Sequence, residues 1–600
     1  MNGSGSGEGK RLDEHQMKAV TTTAPKVLVV AGPGSGKTTV MVARVVHMVG
    51  QLKILASQVV TITFTRYAAR QLRERIPAAY RPGFVGTLHA FCLKLLMDHG
   101  AVLGYQRDTL TILADEEATL DEREALVGAG LVKKLATGGI SWTAVTQRDW
   151  KAYLDGILQG RHGPDVIPAL APAFTAFVAR MRAQNTLTYG LMMWETLQLM
   201  EDAQALKSIR RSHAHFLVDE FQDTDHAQWG VLLRILGKLN PRTVYAVGDA
   251  DQSIYQWRGA SPGIMVQMAK QPGTEVIHLV NCYRYGAGIA DPAARLIQRN
   301  AERIQHQVVP MGKARGEASR LEGLDIVTTA KLVKMQAEDV GAGYVAVLCR
   351  THAPLQQLKE VLDRMDVPAV KLGRMADLHK TAEFRTCVAL LRLTYHPGNW
   401  QAFMAITATL GLDARAILVL REYALGERCS LLEAYRRQPG HHSLPTGLNT
   451  LAGFLAAVDP SGEYGQAVQF LTHLNALEGF QTTQDLVNFL AGASIQDEIQ
   501  DKPAVTLGTI HAAKGLEWPV VIVMGMCQGI TPGTRGRLEE ERRLIYVAMT
   551  RAQRRLFMVH NVMGPDEEPV RGRPRAQLAL NMGPGPSQFL DETGLPSGNE

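Results

Sequence analysis

Ala31, Gly32, Pro33, Gly34, Ser35, Gly36, Lys37 and Thr38 follow directly on the apolar run Lys26-Val-Leu-Val-Val30 and precede a helical pattern over 39–48. A buried strand, a glycine-rich turn and a helix start let backbone N–H groups converge on phosphate oxygens. In such a cradle Lys37 reaches the β and γ phosphates of a nucleoside triphosphate, and the Thr38 hydroxyl can hold Mg²⁺. Ala31 stands where the usual pattern has its first glycine, and it is small enough to fit. A second constellation, His215-Phe-Leu-Val-Asp-Glu-Phe-Gln-Asp-Thr224, is a hydrophobic strand ending in adjacent carboxylates. At the strand's C-terminal edge Asp219 would hold Mg²⁺ opposite Thr38, and Glu220 would accept a proton from an attacking water. The bland alternatives are a chance turn and an acidic loop. Each explains one segment, and neither explains both in one chain.

Strand-like runs at 26–30, 59–64, 216–219, 243–247 and 276–279 form one group; a second group lies at 344–349, 367–372, 505–509, 520–524 and 556–560. Helical patterns intervene, so the fold class is α/β, with two parallel-sheet cores. Stretches from about 97 to 200 and from about 398 to 500 are rich in Leu, Ala and Gln at helical spacing. They read as helical domains inserted into the cores. Segments 564–575 and 581–586 are rich in Pro and Gly and read as extended.

With 46 % hydrophobic residues in a chain of 600, several cores can form. No run approaches the ~18 apolar residues that span a bilayer, and residues 1–10 are Gly/Ser-rich and polar, unlike a signal peptide. The six cysteines are scattered without a Cys-x-x-Cys, which suits a reducing cytoplasm and argues against a zinc site. A net charge of +6 permits nucleic-acid binding without requiring it. Arg66, Arg70, Arg73 and Arg75 cluster after one strand, and Arg535, Arg537, Arg542, Arg543, Arg551, Arg554 and Arg555 crowd the C-terminal part. A solvated helix face is the competing reading for each cluster.

Eight segments in order resemble the UvrD/Rep family of superfamily 1 DNA helicases over nearly the whole chain. Leu12-Asp-Glu-His-Gln16 resembles the Q motif, Thr63-Phe-Thr-Arg-Tyr-Ala-Ala-Arg70 motif Ia, and Gly86-Thr-Leu-His-Ala-Phe91 the next DNA-side motif. Val218 to Thr224 resembles motif II, Val247 to Ala260 motif III, and Tyr283-Arg284 motif IV. Thr509 to Glu517 resembles motif V, and Glu541 to Ala552 motif VI. The resemblance implies two RecA-like P-loop cores, 1–96 with 201–280 and 281–397 with 501–600. The insertions are then 97–200 and a shortened 398–500.

It also implies roles. Gln16 would read adenine through its carboxamide, and Tyr283 would stack on the base. Gln252 would sense the γ-phosphate, Glu517 would lie near the ribose, and Arg284 and Arg551 would cross the cleft to stabilise phosphoryl charge. ATP and Mg²⁺ are the implied cofactors; single-stranded DNA and its junctions with duplex are the implied partners, with a loading protein allowed and no membrane. Phe64, Tyr255 and Trp257 would stack on bases with Arg258 beside them, and Tyr189 stands where the family has phenylalanine. Arg66, Thr87, His89 and His511 would contact the strand backbone. Core packing competes for each aromatic.

Movement is expected 3′ to 5′ by resemblance alone. The chain departs from the family at Thr39, where an arginine usually covers adenine, and at Thr188-Tyr-Gly-Leu191, which lacks the usual carboxylates. Leu410-Gly-Leu-Asp413, Cys282 and Pro532-Gly533 depart as well. Pro586-Ser-Gln-Phe-Leu590 resembles the family's late segment, so no appended nuclease domain is expected. Two rival readings use the same residues: a translocase that strips bound proteins without robust unwinding, and a nucleotide-gated DNA-binding switch.

Overall fold

The computed structural model describes residues 11–597 except 114, 135–139, 143–145, 239–241, 312–314, 373–380, 459–461, 463, 479, 481, 492–502, 534–536 and 563–584. The polar start at 1–10, Arg535, segment 564–575 and most of 581–586 lie outside the described residues. The described chain divides into two compact units. One comprises Met1–Leu88, Lys207–Gly373 and Gln496–Glu600, and the other His89–Leu206 and Arg374–Ile495.

The first unit holds two six-stranded sheets. Strands β1 (Lys26–Ala31), β2 (Val59–Thr63), β3 (Phe84–Thr87), β4 (His215–Val218), β5 (Thr243–Gly248) and β6 (Glu275–Leu279) run in the order β6-β1-β5-β4-β2-β3, every pairing parallel. The second sheet has β7 (Glu317–Leu324), β8 (Val345–Cys349), β9 (Ala369–Lys371), β10 (Val505–Thr509), β11 (Trp518–Met524) and β12 (Ala552–Asn561), ordered β7-β12-β11-β8-β10-β9 and again parallel throughout. Continuous Val/Ile/Leu runs in β1, β8 and β11 are what two-sided burial requires. All ten strand runs expected from sequence are present. The two strands of these sheets that the sequence reading did not expect, β3 and β7, are both at sheet edges.

Ligand sites in open parallel sheets form at the carboxyl ends of the strands. Here the β1 end opens into the glycine-rich turn and helix α2 (Lys37–Gly50), after α1 (Glu14–Thr21). The β2 end opens into α3 (Arg66–Arg75), and the loop before β12 carries α4 (Leu538–Met549).

The second unit is mainly helical. It also has a parallel pair of short strands, Thr111–Leu113 with Thr186–Thr188, and an antiparallel pair, Val132–Lys134 with Ile140–Trp142. Its two chain segments share contacts: Ile112 N donates to Asn488 Oδ1 at 3.1 Å, and Gln401 Nε2 donates to Asp121 Oδ2 at 2.6 Å. No described helix is long and apolar enough to cross a membrane.

Candidate nucleotide and nucleic-acid sites

The turn after β1 requires its glycines. Gly34 and Gly36 have φ of 72° and 84°, the left-handed region that side chains resist. A Cβ on Gly34 would lie 2.5 Å from Arg284 Cβ, and one on Gly36 would lie 2.8 Å from Gln16 Nε2. Gly36 caps α2, and the amides of a helix's first turn have no intrahelical acceptor, so they face the turn's concavity. Lys37 Nζ donates to Ala31 O at 3.1 Å, and Ser35 Oγ to Gly32 O at 2.8 Å, which ties the loop's rim together. Thr38 follows in the first turn, and Thr39 is exposed beside it.

Gln16 sits at the third position of α1 in a capping box: Asp13 Oδ1 accepts Gln16 N at 2.7 Å, and Asp13 N donates to Gln16 Oε1 at 3.1 Å. Gln16 Nε2 also donates to Ser35 O at 3.0 Å. Both ends of the amide are fixed, and one lone pair and one N–H remain. Asp13, unassigned in the sequence reading, also accepts from Asn281 Nδ2 at 3.0 Å and from Tyr283 O–H at 2.6 Å. Tyr283 keeps 44 % of its surface exposed, and its N–H donates to Gly34 O at 2.8 Å. Cys282 is buried against Gly34, where an added Cβ would meet its Sγ at 2.9 Å.

The carboxylates follow β4. Glu220 adopts φ 49°, a left-handed backbone uncommon outside glycine. Both Asp219 and Glu220 are recessed but only partly covered. Burial and the neighbouring Glu220 charge push Asp219 above its usual range. Burial opposes ionisation of Glu220 too, yet Lys37, Lys514 and a hydrogen bond from Gln222 draw it below its usual range. Hydroxyl and carboxylate oxygens at Thr38 and Asp219 are the hard donors Mg²⁺ takes.

Gln222 bridges onward: Nε2 donates to Glu220, and Oε1 accepts Asp249 N at 2.9 Å. Gln252, buried, donates Nε2 to Asp249 Oδ2 at 2.7 Å. Asp249 and Asp251 also lie with His306 in a cluster whose ligand atoms are within 4.8 Å of one another. Arg303 Nη2 already holds Asp251 at 2.5 Å, so this is an ion-paired buried cluster.

Two arginines reach the same cleft, Arg551 from just before β12 and Arg284 from the connection between β6 and β7. Arg551 is 2 % exposed and donates to Val547 O, Leu516 O and, at 3.2 Å, Gln252 Oε1. Burial and then Arg284 push its guanidinium down to about 9, still charged at neutral pH. Arg284 pairs with Glu517 at 2.5 Å and donates to Thr550 O at 3.0 Å. The glycine-rich turn, the paired carboxylates, Gln252 and the two arginines therefore come together where loops of the two sheets meet.

Comparison with known proteins gives this geometry a lineage. The UvrD/REP helicase N-terminal domain matches residues 12–273, and the UvrD-like helicase C-terminal domain matches 466–562. The chain is similar to the ATP-dependent DNA helicase UvrD1 of Mycobacterium tuberculosis, 30 % identical over 91 % of this chain and 82 % of the relative. The chain belongs to the UvrD/REP helicase family. The ATP-dependent DNA helicase PcrA of Leuconostoc citreum is 27 % identical over 92 % of this chain and 82 % of its own.

In this UvrD/REP chain the strand-side residues divide sharply. Trp257 is 62 % exposed, with Arg258 4.7 Å over its ring and His511 6.3 Å away edge-on. Tyr255 is 3 % exposed: its ring stacks on Phe64 at 5.0 Å, and its O–H donates to His511 O at 3.2 Å. Tyr255 therefore leaves little free surface for the base stacking expected of it, because its ring is packed against half-buried Phe64 and the surrounding core. Burial, then Arg350 and Arg258, push His511 down to about 4. Arg66 starts α3 and Thr87 ends β3, both half-buried. His89 and Tyr189 belong to the helical unit, where their rings lie 4.9 Å apart. Sequence reasoning missed Asp223 and Lys514, which form a buried ion pair between the two sheets' loops. Both stood inside quoted motifs, and only the fold brings them together.

Proposed function

We propose that this chain is an ATP-dependent DNA helicase that moves 3′ to 5′ on single-stranded DNA and separates strands at junctions with duplex. The observation that carries the reading is the bond from Arg551 to Gln252, which joins the second core to the sensor of the first beside the phosphate cradle. Lys37 and the α2 amides would hold the phosphates, Gln16 and Tyr283 the adenine, and Glu517 the ribose side. Thr38 and Asp219 would hold Mg²⁺, which when bound offsets phosphate charge. Glu220 would orient and deprotonate the attacking water, while Arg284 and Arg551 would stabilise the transferred charge.

Closure on ATP draws the two sheets' loops together, and reopening after hydrolysis shifts the grip of Phe64, Trp257 and Arg258 on the strand. Arg66, Thr87 and His511 are our candidates for backbone contacts, with His89 and Tyr189 as further candidates in the helical unit. A base-pair step costs about 1.4 kcal/mol to separate, well within one hydrolysis event. The test is steady-state ATP turnover with and without single-stranded DNA, beside unwinding of matched 3′-tailed and 5′-tailed duplexes. Strong stimulation with unwinding of the 3′-tailed duplex alone supports the full reading. Stimulation without unwinding would leave a translocase, and no stimulation would overturn the motor.

A further inference from the structure

Six cations gather at the edge of the first sheet opposite the nucleotide cleft. Lys207, Arg210 and Arg211 sit on the helix Ala203–Ser212, which leads into the amino end of β4. Arg234 lies in the last turn of the helix His226–Leu236; Lys238 and Arg242 follow it, just before the amino end of β5. The carboxylates and the phosphate cradle stand at the carboxyl ends of these parallel strands, so the six belong to neither. Hydrogen bonds tie the two groups into one patch. Arg210 Nε donates to Ile235 O at 3.1 Å, and its Nη2 to Arg234 O at 2.7 Å. Arg242 Nε donates to Leu236 O at 2.6 Å, and its Nη2 to Lys238 O at 3.0 Å.

The bland account is that cations close helix C-termini, and these two guanidiniums do cap carbonyls. Magnitude shows that this is only part of the explanation. Each helix C-terminus offers about half a negative charge, roughly one for the pair, against six cations. Neither 203–218 nor 226–248 contains an Asp or Glu. Among the described residues, none of Lys207, Arg210, Arg211, Lys238 and Arg242 is in an ion pair. Burial, then Arg242 and Arg234, push the Arg210 guanidinium below its usual range.

A surplus of this size is a receptor for a polyanion. A single strand is gripped by stacking, yet the patch exposes no Trp, Tyr or Phe, and half-buried Trp229 packs edge-on against Phe221 at 5.2 Å. An acidic peptide needs an apolar seat, and Leu233 is the one large apolar side chain exposed among the described residues of these two helices. Duplex DNA needs neither. It offers a phosphate charge per ~1.7 Å of axis, and backbone contacts alone hold it.

Resting on the functional reading above, we propose that this patch is a second nucleic-acid contact, taking the phosphate backbone of duplex DNA at the sheet edge opposite the nucleotide. Exposed Lys207, Arg211 and Lys238 supply most of the accessible charge. Arg210 and Arg242, fixed by their carbonyls, present the end-on Nη1–Nη2 edge. These contacts read no base, so they add salt-sensitive affinity for duplex of any sequence.

The experiment titrates the full chain against labelled blunt duplex, oligo-dT and a poly-glutamate peptide over a salt series, by fluorescence anisotropy. The test variant is Lys207→Gln/Arg211→Gln/Lys238→Gln. A control, Lys331→Gln/Lys334→Gln/Lys359→Gln, loses equal charge elsewhere. Each phosphate contact adds about 0.9 to the slope of log K against log salt, so the test variant should flatten the duplex slope by about 2–3 and weaken duplex binding by about 10–500-fold at 0.1 M salt. Its oligo-dT affinity and DNA-free ATP turnover should hold, and the control should leave all three unchanged. Duplex binding weakened no more than in the control overturns the inference, as does an equal loss for oligo-dT. Loss of poly-glutamate binding with duplex binding retained also overturns it and gives the surface to an acidic protein segment. Should DNA-free turnover fall, the single variants Lys207→Gln and Lys238→Gln carry the same comparison, each at about 0.9 of slope. An unaltered chain that neither binds oligo-dT nor is stimulated by it overturns the functional reading and this inference with it. Stimulation by oligo-dT with duplex binding indifferent to the patch overturns this inference alone.

Discussion

The nucleotide cleft and the helical unit both bury charge, and they handle it in opposite ways. In the helical unit Glu195 is fully buried and receives Tyr105 O–H at 3.0 Å and two Arg182 donors at 2.9 and 2.6 Å. Asp121 likewise receives Arg180, Gln184 and Gln401. These acceptors are surrounded by donors, and the clusters knit a core. In the cleft the pairings run between loops of two sheets, Arg551 to Gln252 and Lys514 to Asp223, and Asp223 Oδ1 has no hydrogen-bond partner among the described residues. In the cleft, then, buried charge is paired across the loops of two different sheets, the arrangement the proposed closure on ATP requires. A satisfied cluster inside one body adds rigidity.

Replacing the cleft's most buried guanidinium should give the largest effect. Arg551→Ala is expected to lower DNA-stimulated turnover by about 10³–10⁵-fold, the span measured for arginines that stabilise transferred phosphoryl charge. Stopped-flow phosphate release decides it. A loss below tenfold would reduce Arg551 to a brace for Gln252, and the contrast with the helical unit would collapse. The mirror experiment is Glu195→Gln, which leaves Arg182 without its counter-charge. Because Arg182 is about one-third exposed, the cost should fall just below the ~3–5 kcal/mol of fully buried pairs, at roughly 2–3 kcal/mol. Turnover per folded molecule should hold, as read by calorimetry beside ATPase. A turnover loss without a stability loss would make the helical unit's charges functional and undo the distinction.

How far these roles were legible in the sequence follows the same division. Central strands announce themselves because both faces are buried and their runs are continuously apolar. Two of the four edge strands do not: β3 is a four-residue Phe-Val-Gly-Thr, and β7 reads Glu-Ala-Ser-Arg-Leu-Glu-Gly-Leu with only partial burial. Residues with chemistry fixed by local spacing, such as Gly34, Gly36, Lys37 and Asp219, could be placed from the string alone. Lys514 could not, since its partner Asp223 is 291 residues away. Tyr255 misled because an aromatic in a glycine-flanked loop says nothing about whether a second ring covers it.

Two tryptophans sharpen the comparison at intermediate scale. Trp150 in the helical unit is 1 % exposed and donates Nε1–H to Glu122 at 3.0 Å, whereas Trp257 is 62 % exposed beside Arg258. Stacking on a base contributes about 1–3 kcal/mol, so Trp257→Ala should weaken oligo-dT binding by roughly 5–150-fold. Equal loss of binding and of DNA-free turnover would make Trp257 a structural residue like Trp150.

The smallest effect concerns His511. Its ring, pushed down to about 4 by burial and by nearby Arg350, Arg258 and Lys514, is neutral at pH 7 and releases no counterion from a strand. The slope of log K against log salt at pH 7.5 should therefore be the same in His511→Gln as in the unaltered chain, while Arg258→Gln should flatten it by about 0.7 if Arg258 neutralises one phosphate. The same depressed value has a sign for stability. An unfolded imidazole takes its proton near pH 6.5, before the folded one can, so the unfolded state binds more protons as pH falls from 6.5 toward 4. Stability contributed by neutral His511 is present above pH 6.5 and is lost through that window. His511→Gln should therefore lose less stability on acidification than the unaltered chain, by on the order of 1 kcal/mol between pH 6.5 and 5, as read from urea midpoints. Equal losses would mean the ring titrates normally, and it would then join Arg258 as a charged contact on the open side of the cleft.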